Sequence, residues 1–408
     1  MYIKLTIDDI FRFLLVSAIV IVPLLSYGEV LALIRGTLRS QTESITPIYI
    51  KLIKDVIMLL LLLLSTVKVL IKRSVSVKSF ITLFVILSII SMSFVYSSGL
   101  SLMVLAAGLR WSIPLFLIAA FIYFRATFQY KPLFIVVCWI YGFHLFAQVY
   151  QFLFAGHWFG SYFGVYSLRN PGLFLIPGTG ALFSICCFLC IYEQCISRAK
   201  RFLLSVSVFL SVVLTLSGTG LIILFSLMLI ILFQKFFSNI ISMLIFCFIS
   251  VLSLPGIVYL SAFLGRGENY IAISGGDRIE IFYEIIERVS FFSSYFGIGT
   301  NSGVLAASTL GHETNSVTVD SMFTSVLMNT GFLGFTVFLV SIAAAFFSAI
   351  STNNQNNLRV SLVILLASFT SIWTEAYPVN LIFAIMLAEV FNSRGLENEN
   401  LQYNRVHS

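Results

Sequence analysis

The chain has 408 residues, of which 59% are apolar and only 10% charged, with a formal net charge of +7. A water-soluble domain carries roughly a quarter charged residues and has no interior able to hide this much apolar surface, so the composition excludes an ordinary soluble globule and makes lipid the expected solvent. The positive balance does not point to nucleic acid, because most Lys and Arg fall in short gaps between apolar runs, where the positive-inside rule places them.

A helix needs about 20 apolar residues to cross a bilayer. Runs of that kind lie at 11–34, 52–71, 79–98, 112–125, 132–154, 172–192, 202–217, 219–234, 239–263, 321–350, 359–374 and 379–392. They predict an all-α polytopic membrane protein with about twelve spans, ten or eleven if the shorter runs do not cross. The first run has no small-x-small cleavage site before the next run and reads as a span rather than a signal peptide. Ser217-Gly218-Thr219-Gly220 reads as a tight hairpin between two spans.

Orientation follows from the basic residues of the short gaps. Lys72, Arg73 and Lys78, then Arg125 and Lys131, then Arg198, Lys200 and Arg201, then Lys235 and Arg359 all share one side. That side is the expected cytoplasm, with both termini on it. The chain then divides into spans over 1–263, a large periplasmic loop over 264–319, C-terminal spans over 320–392 and a cytoplasmic tail over 393–408. The large loop gathers Glu268, Asp277, Glu280, Glu284, Glu287 and Glu313, with Asp320 at the start of the next span. Loops longer than about 15 residues are usually functional or disordered; helical pattern and aromatic content make this one an ordered, functional candidate.

Beyond the first outer segment, the basic residues on the outer side are all arginine: Arg110, Arg169, Arg266, Arg278 and Arg288. Their placement runs against the topological rule. Guanidinium groups grip phosphate through a planar fork, so an anionic ligand is one explanation and ion pairing with the loop acids the other. Ser274-Gly275-Gly276-Asp277 reads as a helix start, which sets Arg278 in a first turn where its charge opposes the helix dipole. A helix N-terminus with an arginine makes an anion site; a peripheral amphipathic helix is the alternative.

Glycines 297, 299 and 303 allow close backbone approach to a ligand, without the strand and helix context of a nucleotide loop. His312, Glu313 and Asp320 offer a general base, against the alternative of a solvated polar loop. His144 lies inside a span and reads as a packed residue, whereas His157 sits in another outer loop. Arg169 and Glu375, ionisable and close to the membrane plane, are further candidates. Cys186, Cys187 and Cys190 have no second ligand pair, so neither metal nor disulfide is expected, and no cofactor is implied.

Four stretches resemble the O-antigen polymerase and ligase group of bacterial envelope proteins. They are Arg110-Trp111-Ser112-Ile113-Pro114; Arg169-Asn170-Pro171-Gly172-Leu173-Phe174 with Pro177; Leu216-Ser217-Gly218-Thr219-Gly220; and the segment from Gly276 and Arg278 through Gly297-Ile298-Gly299 to Asp320-Ser321 and Asn329-Thr330-Gly331-Phe332-Leu333-Gly334. Two departures stand out. Phe282 and Tyr283 occupy the region where the family often has Trp, and His312 and Asn315 are separated where the ligase branch often pairs them. The resemblance therefore leans to polymerase over ligase.

It implies a GT-C-like fold in the bacterial inner membrane. It also implies a metal-independent glycosyltransferase acting on undecaprenyl-diphosphate-linked glycans, with membrane lipids and a chain-length regulator as partners. Arg169 and Arg278 would hold diphosphate, with Arg110, Arg266 and Arg288 secondary. Asp320, His312 or Glu280 would orient or deprotonate the acceptor. A glycan-lipid flippase is the rival from another class; it would place arginines along a central path and break its helices at midplane.

Overall fold

A threonine followed three residues later by an aspartate opens the first helix. Thr6 Oγ1 accepts from the Asp9 amide at 3.2 Å and the Asp9 carboxylate accepts from the Thr6 amide at 3.1 Å, a reciprocal cap. The Thr6 hydroxyl and amide donated to it hold the Asp9 carboxyl below the usual carboxylate range. The structure is a computed structural model that describes residues 6–35, 45–72, 102–155, 169–174, 176–195, 197–232, 321–352 and 354–392. The predicted spans 79–98 and 239–263, the loop 264–319 and the tail from 393 lie outside the described residues.

The described residues form helices, and no strand occurs among them. In chain order these are α1 (Ile7–Val20), α2 (Tyr27–Ile34), α3 (Ile48–Lys72), α4 (Leu102–Phe124), α5 (Lys131–Tyr150), α6 (Pro177–Tyr192), α7 (Arg198–Thr215), α8 (Gly218–Leu232), α9 (Met322–Ser351), α10 (Gln355–Thr370) and α11 (Val379–Asn392). Lys131–Phe154 and Met322–Ser351 are long and apolar enough to cross a membrane.

Three expectations need correction. The apolar run 11–34 is not one helix: Pro23 lacks an amide proton and sits in a single tight turn, Val22–Leu24, that separates α1 from α2. Arg110 is not in a loop before a span; α4 begins at Leu102 and carries Arg110 well inside it. Arg359 is not in a gap between spans but one turn into α10, where it is buried. The expected hairpin near Ser217 is present, with Leu216 in the left-handed conformation (φ 48°) ending α7 one residue before Ser217.

The chain divides into two compact units. The first contains α1, α2, the start of α3 to Leu61, α5 to α8, and residues 377–382. Its centre is α6, buried along nearly its whole length from Gly180 to Ile191. α7 and α8 pack on it, and α5 packs on α6, α7 and α1. Contact between α8 and α6 is close: a Cβ on Gly220 would stand 2.4 Å from Ala181 Cβ. The Tyr377 hydroxyl donates to the Ala18 carbonyl and ties the segment before α11 to α1.

The second unit contains the rest of α3, α4, α9, α10 and the remainder of α11. Its main pair is α9 against α10, with the Phe323 and Phe369 rings 4.4 Å apart between centroids. α9 is interrupted at Gly331 (φ 66°, ψ −167°), a conformation open essentially to glycine alone. Every residue from Met322 to Gly331 is buried, whereas Phe332, Leu333, Leu339, Val340 and Phe347 beyond the break are exposed, as on a lipid-facing helix. Gly331→Ala is expected to lower stability by about 1–3 kcal/mol, read as a drop in the melting temperature of the purified protein in detergent; an unchanged melting temperature would mean that the break is not held.

Candidate functional site

The most elaborated polar structure in the first unit is built around the Arg169 segment. α5 does not stop cleanly at Tyr150; it widens into a π-helical turn, Gln151–Ala155, a feature frequent at functional sites. Gln148 and Gln151, three apart, reach one loop from consecutive turns. Both are completely buried.

Gln151 Oε1 accepts from the Gly172 amide at 2.8 Å while its Nε2 donates to the Gly172 carbonyl at 2.7 Å. Gln148 Nε2 donates to the Asn170 and Ser211 carbonyls, each at 3.2 Å, and its Oε1 accepts from the Ser211 hydroxyl. The Asn170 amide donates to the Leu214 carbonyl on α7 at 2.9 Å. Leu173 donates its amide to His144 Nδ1 at 3.3 Å, and its carbonyl accepts from Ser26 Oγ at 2.8 Å. Backbone that leaves a helix in an apolar interior must find such partners or forfeit its hydrogen bonds. Here α5 supplies most of them through side chains.

Gly172 makes this approach feasible. It takes φ +69°, and a Cβ there would lie 2.4 Å from His144 Nδ1. His144 is fully buried between Phe174 and Phe183, with ring centroids 5.2 and 5.3 Å away. It is a packed residue of the loop's support, as its place within a span suggested. Arg169 opens the segment, half-buried, with its Nε beneath the surface.

No protein-family model matches the chain, and no curated protein matches it.

Arg110 is exposed on α4, with Trp111, Ser112 and Ile113 after it buried. It belongs to the second unit and Arg169 to the first. Glu375 is half-buried in the turn before α11, its amide donating to the Ile372 carbonyl at 3.1 Å. Arg266, Arg278, Glu280, Arg288, His312 and Asp320 lie outside the described residues. Cys186, Cys187 and Cys190 are buried and form no disulfide with one another.

A second polar cluster in the first unit went unremarked in the sequence. Glu29, fully buried on α2, accepts from the amides of Ile45 at 3.2 Å and Thr46 at 3.1 Å, from the Thr46 hydroxyl, and from Lys51 Nζ at 2.5 Å. The Gly28 amide donates to Thr46 Oγ1 at 3.0 Å. This carboxylate fastens the start of α3 to α2, and with four donors on it, it serves as a structural anchor. Glu29, Gln148 and Gln151 each interrupt an apolar run, the one sign by which the sequence marked them.

Proposed function

We propose that this chain polymerises undecaprenyl-diphosphate-linked oligosaccharide repeat units into surface polysaccharide, as a polytopic inner-membrane glycosyltransferase of about twelve spans with both termini cytoplasmic. The observation that carries the reading is the Arg169-Asn170-Pro171-Gly172 segment. It is a stretch by which the sequence resembles the polymerase and ligase group, and it forms a loop whose backbone is bonded from two helices, α5 and α7, and from Ser26, with a half-buried arginine at its head.

In the proposed step, the hydroxyl oxygen at the non-reducing end of an incoming lipid-linked unit forms a bond to the anomeric carbon of the growing chain. The bond from that carbon to the carrier diphosphate breaks, the diphosphate departs with the electron pair, and a carboxylate or imidazole takes the hydroxyl proton. Charge develops on the leaving diphosphate. Arg169 and Arg278 stabilise it, assisted by Arg110, Arg266 and Arg288, because positioned cations aimed at developing charge lower a barrier without reorganising. Asp320, His312 or Glu280 receives the proton.

The test is complementation of a strain lacking the gene, with surface polysaccharide resolved on a gel. Wild type restores a ladder; Arg169→Ala and Arg278→Ala are expected to collapse it to a single repeat unit. Polymer accumulating on its lipid carrier would favour a ligase. One observation favours the flippase reading, the interruption of α9 at Gly331, since transporters build sites from broken helices. Lipid-linked units trapped on the cytoplasmic side would decide for it.

A further inference from the structure

We propose that Gln148 and Gln151 are positioning residues that set the reach of the Arg169 guanidinium, an inference that rests on the reading of Arg169 as a phosphate ligand. The argument is geometric. Asn170 has both its backbone groups bonded, the amide to Leu214 and the carbonyl to Gln148 Nε2. Gly172 has both of its groups bonded to one side chain, Gln151. The planar primary amide of Gln151 meets the main chain as a neighbouring strand would, donor to carbonyl and acceptor to amide. Such a pairing fixes distance and orientation together.

Arg169 is one residue from Asn170, so its Cα has little freedom while the pairing stands. Satisfying the backbone requires only donors and acceptors. Satisfying it with two buried amides on one helix, the second launched from a π-helical turn, sets a single loop position relative to α5. Both glutamines are completely buried and act through the loop.

Gln151→Glu separates positioning from simple stability. A neutral carboxylic acid reproduces the amide's pattern, accepting from the Gly172 amide and donating to its carbonyl. An ionised carboxylate can only accept, and it faces the Gly172 carbonyl with like charge. The loop of this variant is therefore clasped in acid and released as pH rises.

The reporter is Arg169→Cys, labelled by a maleimide on purified full-length protein in nanodiscs, in a background of Cys138→Ser, Cys195→Ser and Cys247→Ser, since Cys186, Cys187 and Cys190 are buried. The rate is divided at each pH by that of the same reporter with Gln151 intact, which cancels thiol ionisation and any contribution of His144, the titratable group beside the loop. With Gln151→Glu the ratio is expected to climb from near one in acid to about tenfold in base, the scale of one buried hydrogen bond. With Gln151→Met it is expected to be about tenfold throughout. Should Gln151→Met fail to fold, the isosteric Gln151→Glu carries the test.

A ratio that stays near one across the pH range overturns the inference, even if melting temperature falls, because a merely stabilising clasp would move stability alone. A parallel measurement keeps the two readings apart: binding of undecaprenyl diphosphate to wild type and Arg169→Ala in the same nanodiscs. Equal binding by both would sink the phosphate reading while a pH-dependent ratio kept the clasp. Lost binding with a flat ratio would keep the phosphate reading and remove the clasp.

Discussion

Gly172→Ala is expected to destabilise the protein by about 2–5 kcal/mol and to displace the Arg169 loop. Two effects add. The backbone sits at φ +69°, where a side chain costs about 1–2 kcal/mol. The new methyl would also stand 2.4 Å from His144 Nδ1 and 2.9 Å from Gln148 Cγ, and neither can retreat from a packed interior without strain of about 1–3 kcal/mol. The loop must move away from α5, which breaks both hydrogen bonds from Gln151.

The check is thermal unfolding of the purified variant beside Gly172→Ala with His144→Ala. Removing the imidazole opens room for the methyl, so the double variant is expected to lose less than the sum of the two single losses. Strict additivity would mean that the ring and the glycine are not in contact.

Glu29→Ala is expected to cost about 2–3 kcal/mol, the upper part of the range for leaving buried donors without an acceptor. Lys51 is about a third exposed, so its ammonium stays partly hydrated and its share of the loss is small. Most of the cost comes from Thr46, whose amide and hydroxyl are buried and would lose their acceptor. Glu29→Gln keeps an acceptor for Thr46 while removing the charge, and it is expected to lose less than half as much. Denaturant or thermal unfolding in detergent ranks the two; equal losses would assign the stability to the charge pair rather than to Thr46.

How far the sequence foretold the structure depends on what each signal measures. Apolar runs located the described helices because burial and lipid both select the same residues. They failed at boundaries where charge and backbone disagree. Arg110 ends a hydropathy run, but a helix continues as long as its amides find carbonyls, so α4 extends back to Leu102. Arg359 misled in the same way at the start of α10. Pro23 gave the opposite error, since a run stays apolar across a residue that cannot continue a helix.

At the candidate site, Arg169 was visible as an ionisable residue close to the membrane plane, and Gly172 as part of the stretch that follows it. The parts that hold them were not. Gln148 and Gln151 drew no reading from the sequence, and only the packing of α5 against α6 and α7 reveals that they face a loop some twenty residues away in sequence. Glu29 was hidden for the same reason: its partners Ile45, Thr46 and Lys51 lie 16 to 22 residues further along the chain.

Because Gln148 and Gln151 grip main-chain atoms of Asn170 and Gly172, these bonds do not read the side chains that the loop carries. What they do read is the spacing of two helical positions on α5. Libraries at 148 and 151 should therefore be depleted in folded survivors, and a one-residue insertion between them should be as damaging as the loss of either amide.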